Sequence, residues 1–202
     1  MVTTLYLIRH GETEGADKMR YKGTLDVPLS EEGVRQIEKV SRSIPVSVGL
    51  RAVYCSDLSR AMKSAGIIAS PHGLKPLVVP GLRERNFGIW EGMSFDEIRE
   101  KYPREFSSWM ESPVEFGQLE GESTIEVKER VIKALNGIIS GHNDEHIVIA
   151  AHGGPNRIIL CHLLGMPLEN IFRIEQDYAA INIIEFRDGY PVVKLINGGP
   201  IG

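Results

Sequence analysis

Thr4-Leu5-Tyr6-Leu7-Ile8-Arg9-His10-Gly11-Glu12-Thr13 is the stretch from which the rest of the chain can be read. Residues 4–9 form a short β-rich run that stops at polar side chains and a glycine. That pattern describes a buried strand that hands Arg9 and His10 to a loop. A matching stretch lies far along the chain. The run Ile147-Val148-Ile149, within residues 146–151, precedes His152 and then Gly153-Gly154-Pro155, where Pro155 reads as the first residue of a helix.

The elements between and beyond these two alternate in type. Ser30 precedes a helical face of Val34, Ile37, Val40 and Ile44, ended by Pro45. Residues 52–55 read as a strand, after which Asp57 is placed to cap a helix reaching about residue 69. Residues 77–79 make a short strand. Residues 94–111 have a helical pattern broken at Pro103, and residues 112–121 read as a loop. Ser123 and Glu126 have the spacing of a capping box, and Val127, Val131, Ala134, Leu135 and Ile138 then fall on one helical face. Asp188-Gly189 joins two final strands, residues 180–186 and 192–196, as a hairpin. The expected fold is α/β: a three-layer α/β/α sandwich with a mostly parallel sheet and an antiparallel edge.

Composition narrows the function classes. A length of 202 residues suits a single domain, and 42% hydrophobic with 25% charged residues is a globular balance. The net charge of −4 argues against a nucleic-acid or anionic-membrane partner. Cys55 and Cys161 carry no metal or disulfide spacing and read as buried thiols. The N-terminal apolar run is too short for a signal peptide or membrane span, so a cytoplasmic protein is expected. An exposed edge strand is compatible with either a monomer or a homodimer.

In a parallel sheet, ligands sit at the carboxyl ends of the strands. Arg9 and His10, then Arg60 after the second strand, Glu84 after the third and His152 after the long apolar strand all reach that rim. Each has an ordinary structural reading: a strand-end histidine, a solvated arginine, a surface ion pair at Glu84, a loop-packing His152. Their convergence on one edge is what points to chemistry. The free N–H groups of the Gly153-Gly154 helix start favour an anion, and arginine favours phosphate oxygens.

The motifs resemble the histidine phosphatase superfamily, in the branch of cofactor-dependent phosphoglycerate mutases and their small phosphatase relatives. The residues that carry the resemblance are Leu7-Ile8-Arg9-His10-Gly11-Glu12-Thr13, Tyr21-Lys22-Gly23, Asp26-Val27-Pro28-Leu29-Ser30, Ser56-Asp57-Leu58-Ser59-Arg60-Ala61, Leu82 to Gly92, Gly121-Glu122-Ser123 and Ala151-His152-Gly153-Gly154. They occur in family order over nearly the whole chain. The resemblance implies a phosphoglycerate mutase-like fold and a nucleophilic His10. It implies that Arg9, Arg60 and His152 clamp the phosphoryl oxygens and that Glu84 acts as the acid, with neither metal nor cofactor. Thr13, Tyr21, Lys22, Gly23 and Gly153 are the expected substrate-binding residues, and residues 102–123, containing Trp109 and Phe116, the expected cover. Trp109 also fits simple packing on the broken helix.

The implied reaction is hydrolysis of a small-molecule phosphate ester, with α-ribazole 5′-phosphate of cobalamin biosynthesis the nearest resemblance. The tail 197–202 lacks the histidine of the family's metal-independent phosphoserine phosphatases, which argues against phosphoserine. Two alternatives stand beside this reading: a phosphoglycerate mutase, and a weakly catalytic phosphate-ester binding module. The second rests on Ala16, where many relatives have an asparagine that contacts the phosphoryl group.

Overall fold

β1 (Val2–Arg9) lies inside a six-stranded sheet, parallel to β4 (His146–Ala151) on one side and antiparallel to β5 (Ile181–Arg187) on the other. The computed structural model describes residues 1–16, 20–117 and 119–199. With β2 (Leu50–Cys55), β3 (Leu77–Val78) and β6 (Tyr190–Gly198), the strand order is β3-β2-β4-β1-β5-β6. The first four are mutually parallel; β5 and β6 form the expected hairpin at the other edge. Its turn uses φ of 48° at Asp188 and 84° at Gly189, the two left-handed residues that a type I′ turn requires.

β1 and β4 are apolar on both faces because helices cover both. Leu5, Leu7, Ile147, Ile149 and Ala151 pack into one core with α5 (Thr124–Ser140) and α6 (Gly153–Leu164). Ile8, Val148 and Ala150 point the other way, into a second core with α1 (Glu31–Arg42) and α2 (Ser59–Ala69). The broken helix becomes α3 (Phe95–Lys101) and α4 (Pro103–Glu111), parted at Tyr102 because a residue before proline is driven out of the helical region. No helix among the described residues is long and apolar enough to cross a membrane. Gln118, inside the expected cover, and residues 200–202 of the tail lie outside the described residues.

Local capping follows sequence in two places. Ser30 accepts the Gly33 N–H, and Ser123 and Glu126 form both bonds of the capping box. Two expectations need correction. Asp57 does not cap α2; its carboxylate pairs with Arg83 at 2.5 Å, and the exposed N–H of Ser59 is taken by Asp26 at 2.8 Å, from a distant loop. Pro155 stands third in α6 rather than first. It is still within the first turn, where a missing N–H removes no intrahelical bond. Both cysteines are buried free thiols, and burial pushes Cys55 up to about 11.

The loop after β1 is held by backbone-to-backbone contact with α1. A Cβ on Gly11 would overlap the Gly33 carbonyl, and a Cβ on Gly33 would overlap the Glu12 carbonyl. Gly137 in α5 has open space around it. Gly33→Ala is therefore expected to cost about 1–3 kcal/mol by overpacking, whereas Gly137→Ala should gain about 0.5–1 kcal/mol, the usual helix preference for alanine. Urea denaturation of the two variants checks the opposite signs; a stabilised Gly33→Ala protein would show that the loop contact is soft.

Candidate active site

The carboxyl ends of β1, β4 and β2 form the floor of a cavity of about 810 Å³. His10 leaves β1 with its N–H bonded to the Ala151 carbonyl at the end of β4, at 3.0 Å. Its side chain is 5% exposed. Nδ1 lies 2.7 Å from the Gly11 carbonyl, which can only accept. The Nδ1 position therefore carries the proton, and a neutral ring leaves the lone pair on Nε2. Neutrality has clear causes. Burial, then the Arg9 and Arg60 charges and Lys22, lower His10 well below its ordinary value, against an opposing pull from the Gly11 bond.

His152 lies behind His10, fully buried, its ring edge-on at 5.1 Å between centroids. Burial first, then His10, Arg60 and Arg9, lower it well below the ordinary value too. Its Nε2 lies 2.7 Å from Ser56 Oγ, and its Nδ1 has no hydrogen-bond partner among the described residues.

The two arginines are held by backbone carbonyls. Arg9 donates to the Gln176 carbonyl at 2.5 Å and lies 4.0 Å over the Tyr178 ring. Arg60, 2% exposed, donates to the carbonyls of Gly23 at 2.6 Å and Leu25 at 2.7 Å. Burial lowers both guanidinium groups, but from a starting value so high that each remains a cation. Glu84 accepts from the Arg85 N–H at 2.8 Å and from the Gly154 N–H at 3.2 Å, the latter at the positive end of α6. A Cβ on Gly154 would overlap the Glu84 carboxylate, so glycine is what lets the acid approach the helix.

The acid segment is fastened from α5. Arg130 donates to the carbonyls of Gly81, Arg83 and Glu84 and pairs with Glu122 at 2.7 Å; Glu122 in turn accepts the Asn86 N–H. Arg85 donates to Glu122 and Phe116 carbonyls and to Thr124 Oγ1, joining the same segment to the residues that lead into α5.

The expected substrate-binding residues reach this cavity, whereas His152 is fully buried behind His10 and is not on the cavity wall. Thr13, Tyr21, Lys22, Gly23 and Gly153 line it with Arg9, His10, Arg60 and Glu84, and Ala16 is on the wall as well. Lys22 donates to Thr13 Oγ1 at 2.5 Å and to the Glu14 carbonyl at 2.8 Å. Trp109 serves both readings: it lines the cavity and packs edge-on against Trp90 and Phe95.

Sequence reading missed Tyr178, Arg157 and Phe172, all on the cavity wall. Tyr178 and Phe172 lie in segments without a motif. Arg157 had a usable signal: it is four residues after Gly153, hence on the same face of α6.

Comparison with known proteins agrees with this geometry. The family model described as histidine phosphatase superfamily (branch 1) matches residues 5–198. Phosphoserine phosphatase 1 of Hydrogenobacter thermophilus is 32% identical over 193 residues, covering 96% of this chain and 91% of that protein. The adenosylcobalamin/alpha-ribazole phosphatase of Escherichia coli is 25% identical, covering 98% and 97%. The crystal structure of the alpha-ribazole phosphatase from Shigella flexneri superposes with a TM-score of 0.90 at 26% identity, covering 98% of each chain. With its motifs, its sheet and its buried histidine pair in agreement, this chain belongs to the histidine phosphatase superfamily, branch 1.

Proposed function

We propose that the chain hydrolyses small phosphate monoesters without a metal, through a phosphohistidine on His10. The observation that carries this reading is the neutral His10 imidazole, its Nδ1 tied to Gly11, beside two arginines that are held by main-chain carbonyls. The Nε2 lone pair attacks phosphorus as the ester P–O bond breaks, and the leaving alkoxide takes a proton from Glu84. Arg9, Arg60 and His152 offset the charge on the equatorial oxygens. Glu84 then removes a proton from water, whose oxygen attacks phosphorus. The N–P bond breaks, returning the lone pair to His10 and releasing inorganic phosphate. Thr13, Tyr21, Lys22, Gly23 and Gly153 shape the substrate site, and residues 102–123 cover it.

The cavity wall supports a neutral aromatic leaving group. Phe87, Phe95, Trp109 and Phe172 line it beside Tyr178, and Phe172 is 70% exposed. The outer cations have partners of their own. Arg20 is bonded to both carboxylate oxygens of Glu97, and Arg157 to the Ile174 carbonyl with Glu175 at 3.4 Å. This suits α-ribazole 5′-phosphate, the ester of a ribosylated aromatic base, better than phosphoserine, whose leaving group carries two charges.

Release of phosphate from α-ribazole 5′-phosphate should continue in excess EDTA and vanish in His10→Ala, and acid-sensitive phosphate should be trapped on the wild-type chain alone. Equal turnover by His10→Ala would falsify the nucleophile. The aromatic wall predicts that kcat/KM for α-ribazole 5′-phosphate exceeds that for phosphoserine at least tenfold. Phe172→Ala should lower the former about tenfold, the scale of one lost aromatic contact; a preference for phosphoserine would overturn the leaving-group assignment.

The buried histidines also make stability depend on pH. Both have folded pKa values depressed below the ordinary 6.5. Below about pH 6.5 the unfolded chain binds protons that the folded histidines refuse, so stability falls as the pH drops toward the folded values and is flat above 6.5 on their account. Proton uptake on unfolding near pH 5.5, from the pH dependence of urea midpoints, should be smaller by up to about one proton in His10→Ala. An unchanged uptake would mean that His10 is protonated in the folded protein.

A further inference from the structure

We infer that Ser56 is a positioning residue: its hydroxyl fixes the proton of His152 on Nδ1 and so makes His152 a donor toward the phosphoryl group. This rests on the phosphatase reading above and adds to it the group that sets the state of the second histidine.

Topology puts the pair together. Ser56 follows β2 and His152 follows β4, strands in register at Cys55 and Ala150, so both side chains emerge on the same rim. Both residues are fully buried, and Oγ lies 2.7 Å from Nε2. A neutral imidazole has one proton, which leaves two arrangements. If Nε2 held it, Nε2–H would donate to Ser56 Oγ, and the serine proton would need another acceptor. Among the described residues Ser56 Oγ has only one other recorded partner, the Leu58 N–H at 3.4 Å, and that group is a donor. It fills an acceptor site on Oγ and offers nothing for the serine proton. If the serine O–H donates to Nε2, every atom of the pair is satisfied except one: Nδ1–H.

That remaining atom is the second observation. Nδ1 is buried without a partner, and a buried unmade bond is costly enough to need a reason. The ring stands edge-on to His10 with the Arg9 and Arg60 charges nearby, so the acceptor that Nδ1–H lacks is the anionic oxygen of the group that His10 attacks. An imidazole with the other tautomer would present a lone pair to that oxygen and repel it. The Gly11 carbonyl fixes His10 by accepting from Nδ1, leaving Nε2 as nucleophile; Ser56 fixes His152 by donating to Nε2, leaving Nδ1–H as donor. Two identical side chains are thus given opposite roles by opposite partners.

The wild-type tautomer can be read without any variant, from long-range proton–nitrogen correlations of ring-labelled, substrate-free protein. The expected result is an Nδ1-protonated His152; a proton on Nε2 overturns the proposal even if the enzyme is fully active. The kinetic test compares Ser56→Ala with wild type. Loss of one oriented donor predicts kcat lower by about tenfold to a hundredfold, KM within a few-fold, and weaker inhibition by orthovanadate, while an unchanged kcat would sink the role. Ser56→Thr, which keeps the hydroxyl, should retain the Nδ1 tautomer and most of kcat. Inactivity of the wild type on every ester, with the tautomer as expected, would instead count against the phosphatase reading.

Discussion

Arg9 and Arg60 are bonded to main-chain carbonyls, and the site depends on that choice of partner. A carboxylate would fix a guanidinium equally well but would cancel its charge. A carbonyl fixes the geometry and leaves the charge to the ligand. The neutral histidines follow from burial first and then from the same arrangement, since cations beside a buried imidazole oppose a further proton. An uncancelled, partly desolvated cation is expensive to hold, and the surrounding structure must be rigid enough to do so.

That rigidity is built from side-chain amides on one side and from a carboxylate on the other. The Gln176 carbonyl that holds Arg9 belongs to a residue whose side chain is fully buried and bonded to Asn182, which in turn donates to the Leu7 carbonyl in β1. On the other side, the Gly23–Leu25 turn that holds Arg60 is tied by Thr24 to the Glu91 carboxylate. Each arginine thus leans on a loop, and each loop on a polar network that reaches back to the sheet or to the segment around Glu84. The Glu84 carbonyl is anchored by Arg130, in the same segment whose Glu91 holds the Arg60 loop.

What could be read from the sequence was what local pattern controls. The apolar runs of β1 and β4 announced buried strands, and the Ser123–Glu126 spacing announced a helix start, because both signals come from neighbours in the chain. Asp57 misled for the converse reason. It has the composition of a cap, but Arg83 claims its carboxylate and Asp26 arrives from another loop to take the N–H it was expected to take. Tyr178 over Arg9 and Phe172 on the wall were invisible because no local pattern marks a side chain whose only task is to face a cavity. Ser56 was in a motif, yet its partner is 96 positions away and known only once β2 and β4 lie side by side.

The placement of β1 between β4 and β5 also governs when the site can exist during synthesis. β1 finds its partners only when residues 146–187 have been made. Until then an apolar segment ending in Arg9 and His10 has no sheet to join, so the nascent chain carries His10 without a pocket. Closing the sheet around β1 is therefore one event with assembling the cavity: a ribosome-bound chain that stops short of β4 has no β1–β4 rim for His10 to stand on.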